Sequence, residues 1–215
     1  MRRLTISFDN GPTPGETEKV LDALASRDVL ASFFVVGEEL AKPGARVCLE
    51  RAKAEGHWIC NHTLTHGAPL GADEDEGRVA REVGEAQALL GDLSHPYRFF
   101  RPNGDGSFGK HLLSASAVRY LEAGGYTVVT WNNVPGDWID PKAAWGDRAI
   151  ATAETQDWSL VVIHDFLVGP MIETLTGFID AARDRGFEIV QDFPPSCVPM
   201  LRGQSASHIV DVARL

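Results

Sequence analysis

Short apolar runs rich in β-branched and aromatic residues recur along the chain with helix-like segments between them, and this alternation constrains the fold more than any other feature. The runs are Leu4–Phe8, Ala31–Val36, His57–Cys60, Tyr97–Phe100, Tyr126–Trp131, Leu160–His164 and Phe187–Val190. Most lack strict apolar–polar alternation, the pattern of strands buried on both faces. Between them, Val20–Ala25 follows the start signal Pro14-Gly15-Glu16-Thr17-Glu18. Glu38–Glu55 and Glu74–Leu90 repeat apolar positions at helical spacing, and Pro141–Thr155 and Met171–Arg185 follow. Strand–helix alternation of this kind predicts an α/β fold with a parallel sheet or barrel.

No internal repeat or linker interrupts the 215 residues, of which 44% are hydrophobic, so the chain reads as one domain with its core over residues 4–190. The remainder, 191–215, carries Pro194, Pro195 and Pro199 and reads as an irregular strap ending in a short helix over Ser207–Arg214. A formal charge of -10 leaves no basic surface to neutralise phosphates, which excludes nucleic acid as a partner. No stretch reaches membrane-spanning length, and "MRRLTISFDNG" lacks a secretory apolar region, so a cytoplasmic location is expected. Cys48, Cys60 and Cys197 are odd in number with no Cys-x-x-Cys spacing, which points to reduced thiols in the core.

Parallel α/β folds place chemistry at the C-terminal ends of their strands. The polar residues of interest fall there: Asp9-Asn10 after the first run, His62 and His66 after the third, Arg101 after the fourth, Asp137 after the fifth and His164 after the sixth. In "GHWICNHTLTH", His62 and His66 are four apart. On one helical turn that spacing would point both imidazoles at a shared metal, and a pair of loop histidines capping a helix is the alternative. His57, inside the run, reads as a hydrogen-bonded support. In "VVIHDF", His164 is placed as a general acid or as a satisfied core histidine. Asp137-Trp138 of "PGDWID" either orients an imidazole while the indole shuts out water, or forms a turn with an anchoring Trp. Arg101 of "FFRPNGDG" either fixes the direction of Asp9 or makes a surface salt bridge.

In this order, these stretches resemble the polysaccharide deacetylase family, also called the NodB-homology domain or carbohydrate esterase family four. The family's T-F-D-D-G-P is similar to "SFDNGP", H-[ST]-x-x-H to "HTLTH", R-P-P-Y-G to "RPNGD", D-x-x-D-W to "VPGDW" and L-x-L-H-D to "LVVIHD", over roughly Leu4 to Val190. The resemblance implies a distorted (β/α) barrel of about seven parallel strands. It implies a divalent metal, Zn²⁺ first with Co²⁺, Ni²⁺, Mn²⁺ or Fe²⁺ as alternatives. Carried over by position, Asn10, His62 and His66 stand at the metal ligands, Asp9 at the base that activates water, and His164 at the acid that protonates the leaving amine. Asp137 matches the carboxylate that tunes that acid, and Arg101 the cation that positions the base. A backbone N–H in the loop after Arg101 would help hold the oxyanion.

Three positions depart from the family pattern. Asn10 replaces a metal-binding aspartate, keeping an oxygen donor but losing a charge. "RPNGD" lacks the family's aromatic and puts Asn103 near the oxyanion position, while Val134 replaces the first aspartate of the fourth motif. With Asn103 and Trp138 as substrate contacts, the expected enzyme is a metal-dependent deacetylase acting on carbon–nitrogen bonds other than peptides. Its expected substrate is an N-acetylated sugar or a related small N-acyl compound. The alternatives are a hydrolase of non-sugar, possibly cyclic, amides and a deacetylase-like binding protein impaired by Asn10.

Overall fold

The structure is a computed structural model that describes residues 2–104, 106–140 and 142–215. Asp105 of "RPNGD" and Pro141, the expected start of the Pro141–Thr155 helix, lie outside the described residues. Parallel strands dominate. They are β1 (Arg3–Asp9), β2 (Ser32–Val35), β3 (Trp58–Asn61), β4 (Phe99–Phe100), β6 (Thr127–Val128), β7 (Trp158–His164) and β8 (Glu188–Ile189). Between β4 and β6 comes the short β5 (Leu113–Ser114). The order β6-β4-β3-β2-β1-β7 curls one sheet around a common interior, and β8 pairs with the first residues of β1. The gap between β6 and β7 narrows where Asn133 bridges Val161 in parallel, so the curled sheet almost closes into a barrel. All seven apolar runs therefore become parallel strands.

β1 shows how such a strand serves two environments. Leu4, Ile6 and Phe8 join the core cluster that also holds Leu21 and Leu24 of helix α1 (Thr17–Ala25). Thr5, Ser7 and Asp9, which project to the opposite face, are buried as polar groups inside the barrel. The strand is buried throughout except at Arg3, yet its inner face is chemically polar. Helices pack on the outside. α8 (Ile172–Asp184) buries Leu175, Phe178, Ile179 and Ala182, an i, i+3, i+4, i+7 stripe, against the same cluster.

The structure corrects the expected Glu38–Glu55 helix. It is split into a 3₁₀ turn over Gly37–Ala41 and α2 (Ala45–Ala54), because Pro43 and Gly44 intervene and Gly44 takes the left-handed φ of 87°. The Glu74–Leu90 segment forms α3 (Glu76–Val79) and α4 (Ala86–Leu90) joined by a π-helical turn over Ala80–Glu85. α5 (Ala115–Ala123), capped by the Ser114 hydroxyl accepting from the Ala117 N–H, is a helix the apolar pattern did not announce. α6 (Trp145–Ala153) and α7 (Asp165–Val168) complete the helical elements before α8.

The strap is more ordered than its prolines suggested. It forms an antiparallel hairpin of β9 (Met200–Leu201) and β10 (Gln204–Ser205) that extends the sheet beyond β6. The expected Ser207–Arg214 helix is a 3₁₀ turn over Ser207–Asp211, after which β11 (Ala213–Arg214) pairs with β5. The described residues contain no helix long and apolar enough to cross a membrane.

Candidate active site

Strand register brings the sequence-selected residues together. Asp9 ends β1 and is the register partner of His164, which ends β7, so a carboxylate and an imidazole stand side by side at the mouth of the barrel. His62 follows β3 directly and Arg101 follows β4 directly. All of them sit at C-terminal strand ends.

Arg101 is fully buried, which rules out the surface salt bridge. Its Nη1 donates to Asp9 Oδ1 at 2.5 Å and to Ser7 Oγ at 2.9 Å, and Nη2 donates to the Thr130 carbonyl at 3.2 Å. The guanidinium lies 3.7 Å from the centroid of the Phe34 ring. A planar, five-donor cation fits this environment as a lysine could not. Its effect is to hold Asp9 by one oxygen, and the other, Oδ2, lies 3.6 Å from His62 Nε2.

His164 is oriented by Asp137, which is wholly buried. Asp137 accepts from the His164 backbone N–H at 2.8 Å and faces ring Nδ1 at 3.0 Å. The carboxylate thereby assigns the proton to Nδ1 and turns Nε2 to the cavity. Burial works to lower the pKa of this imidazole, but the hydrogen bond and charge of Asp137, joined by the charges of Asp9 and Asp165, outweigh it and raise the pKa above the ordinary value. The rings of Trp138 and Phe166 stand 5.5 Å and 5.7 Å from that of His164. Of the two readings of His164, the proton donor fits and the satisfied core histidine does not.

His62 and His66 do come together, with ring centroids 5.0 Å apart, but not on a helical turn. They belong to a loop in which Thr63 and His66 take φ of 69° and 53°. That loop is held from below: Asn61 Oδ1 accepts from Thr63 N–H, Asn61 Nδ2 donates to the Val83 carbonyl, and Glu82 accepts from the Thr65 N–H at 3.0 Å. Val83 and Glu82 lie in the π-helical turn, so a local departure from α-helix supplies the loop's anchors. Asn103, expected near the oxyanion, donates its side-chain amide to the carbonyls of His66 and Gly67, and so braces the same loop. His57 is the predicted support, its Nδ1 accepting from the Ala31 N–H at 3.0 Å.

The donor set fits a divalent cation. The Oδ1 atom of Asn10 is buried and has no hydrogen-bond partner, an orphaned acceptor at the lip of the site. Asn10, His62 and His66 all line the same cavity as Asp9. His62 Nδ1 is engaged by the Arg101 carbonyl at 2.8 Å, which leaves Nε2 towards the cavity. Burial is the largest influence on His62 and pulls its pKa to about 4, so the imidazole is neutral, as a metal ligand must be. Among the described residues no three His, Cys, Asp or Glu side chains form a metal cluster, which follows from the third donor here being an amide.

The cavity measures about 420 Å³, and Trp131, Val134, Trp138, Val162 and Leu167 form much of its wall. Val134 does make one side apolar. One residue that matters had no role in the sequence reading: Asp165, fully buried directly after His164. It accepts from the Thr13 N–H and from the Thr17 hydroxyl at 2.5 Å, tying the turn after Asp9-Asn10 to the end of β7. Burial raises its pKa against those hydrogen bonds. A second acid adjoining the histidine was the available signal. Gly11 makes the fit possible, because a Cβ there would lie 2.4 Å from Asp165 Oδ2. Gly11→Ala is therefore expected to lower stability by about 1–3 kcal/mol, the usual cost of overpacking, and to impair turnover. Unchanged urea unfolding with full activity would show that this turn is not held by Asp165.

A parallel barrel with a clamped carboxylate and an oriented imidazole at its mouth is the framework of a hydrolase. The profile of the polysaccharide deacetylase family matches residues 1–129. A chitooligosaccharide deacetylase of Rhizobium leguminosarum bv. phaseoli is 34% identical over 172 residues, covering 75% of this chain and 67% of that protein. A second, from Bradyrhizobium sp. (strain ANU 289), is 30% identical over 210 residues, covering 87% and 88%. The chain belongs to the polysaccharide deacetylase family. Among solved structures, a polysaccharide deacetylase of Bacillus cereus superposes with a TM-score of 0.73 at 21% identity, covering 94% of this chain and 97% of its own. A family 4 acetyl xylan esterase of Clostridium thermocellum, solved with a cobalt ion, gives 0.70 at 24%, covering 88% of each chain. Both confirm the fold. Deacetylases of this family generally depend on a divalent metal.

Proposed function

We propose that this protein removes the acetyl group from an N-acetylated amino sugar. The observation that carries the reading is the pairing of Asp9 and His164 at the ends of neighbouring strands, each fixed by its own counter-charge, Arg101 and Asp137. A divalent cation held by Asn10, His62 and His66 would supply an electrophile for the acetyl oxygen and lower the pKa of water towards ~7. Asp9, gripped by Arg101 through one oxygen, takes the proton from the attacking water. His164, with Nδ1 committed to Asp137, gives a proton from Nε2 to the departing nitrogen as the carbon–nitrogen bond breaks. Acetate and the free amine are the products. The flanking Trp138 and Phe166 rings limit water around His164, which strengthens both charge pairs.

Two expected results follow. Asp137→Asn removes the hydrogen bond and charge that raise the pKa of His164, so burial then acts with less opposition. The imidazole loses its proton at lower pH, and the alkaline limb of the kcat/KM profile moves down while kcat falls by about 10²–10⁴-fold. A profile with an unmoved alkaline limb would remove His164 as the acid. Asn10→Asp adds a negative charge to the donor set and should tighten zinc binding by about tenfold or more, read by competition with a chelating dye. Unchanged affinity would show that Asn10 is not a donor.

The reading itself is tested by acetate release from N-acetylglucosamine and its oligomers with added Zn²⁺ or Co²⁺. Release that stops on chelation is expected, and no release at saturating metal would overturn it.

A further inference from the structure

Beside the catalytic cavity lies a second one that proton transfer does not use. It measures about 330 Å³, and its lining includes Phe108, Thr130, Ser196, Pro199, His208 and Asp211. Three of these, Ser196, His208 and Asp211, come from the strap that follows the barrel.

The two cavities share a wall. Phe108, half exposed, meets Trp131 edge-on at 6.2 Å between centroids, and Trp131 lines the catalytic cavity. Thr130, in the second cavity, accepts from Arg101 Nη2, the guanidinium that grips Asp9. The strap is stitched to both sides of this wall. The Cys197 carbonyl accepts from the Thr130 N–H at 2.8 Å, and the Val212 carbonyl accepts from the Leu113 N–H at 3.0 Å, just beyond the segment that carries Phe108. The position of the second cavity relative to the first is thus set by backbone hydrogen bonds.

Its chemistry is that of a carbohydrate site. An aromatic and a proline provide apolar surface for the C–H face of a pyranose, while a hydroxyl, an imidazole and a carboxylate face its rim of hydroxyls. The Nε2 atom of His208 is buried and has no hydrogen-bond partner. Of the orphaned polar atoms among the described residues, only those of Asn10 and His208 belong to residues lining these two cavities. A buried polar atom without a partner calls for an explanation, and a sugar hydroxyl, able to donate or accept, satisfies either tautomer of the ring.

We infer that this strap-built cavity binds the sugar next to the one being deacetylated, so that the substrate is a chain of at least two linked amino sugars. The inference rests on the deacetylase reading above.

The test compares binding of N-acetylglucosamine and N,N′-diacetylchitobiose to the metal-loaded protein by calorimetry, in the wild type, His208→Ala and Ser196→Ala. The wild type is expected to bind the dimer about tenfold more tightly than the monomer. Each variant should lower that ratio about fivefold, the worth of one neutral hydrogen bond. A wild-type ratio near one, or a ratio unchanged in both variants, would overturn the second site. Acetate release from the same samples separates the two readings. Dimer preference without hydrolysis of either sugar overturns the deacetylase reading alone. Equal binding and hydrolysis of both sugars overturns the second site alone.

Discussion

Asp9→Asn is expected to lower kcat by about 10²–10⁴-fold while leaving zinc affinity within a few-fold of wild type. The substitution preserves shape and leaves an acceptor for Arg101, but it removes the group that receives the proton. Asp9 Oδ1 is held at 2.5 Å by Arg101 Nη1, so the side chain is already positioned and its charge is the property being tested. The metal donors assigned to Asn10, His62 and His66 are untouched. Turnover and zinc affinity measured on one preparation distinguish a base from a ligand. Lost affinity would move Asp9 into the metal set, and retained turnover would mean another residue takes the proton.

The second large effect falls on stability. Arg101→Met should destabilise the fold by about 3–5 kcal/mol in urea unfolding, because it strands a buried carboxylate. The hydrogen bonds from the guanidinium to Ser7 Oγ and to the Thr130 carbonyl disappear with it. Adding Asp9→Asn to Arg101→Met should recover part of the loss, since the stranded charge is then gone. That non-additivity is the mark of a direct pair. A single variant within about 1 kcal/mol of wild type, or a strictly additive double variant, would show that the buried ion pair does not organise the site.

Much of this was legible in the sequence because apolar runs buried on both faces mark parallel strands, and parallel sheets place chemistry at their C-terminal ends. Asp9, His62, Arg101 and His164 were found by position for that reason. What escaped depends on contacts distant in sequence. The His62–His66 spacing fits a helical turn equally well, and only the anchors Asn61 and Glu82 and the left-handed Thr63 and His66 show the loop. Asp165 looked like a neighbour of His164 until its hydrogen bonds to Thr13 and Thr17 across the barrel mouth were seen. The strap was opaque for the same reason: two-residue strands such as β9 and β11 carry no periodicity and exist because β6 and β5 offer edges to pair with.

The account's central claim is that an amide-containing donor set next to Asp9 and His164 drives acetyl hydrolysis. Its most direct test is a Co²⁺ titration of the metal-free protein, with the visible spectrum and acetate release from an N-acetylated amino-sugar oligomer followed together. One equivalent of metal should bring both signals to their maxima, and chelation should abolish both. Undiminished acetate release from metal-free protein, or one bound equivalent with no release, would contradict it.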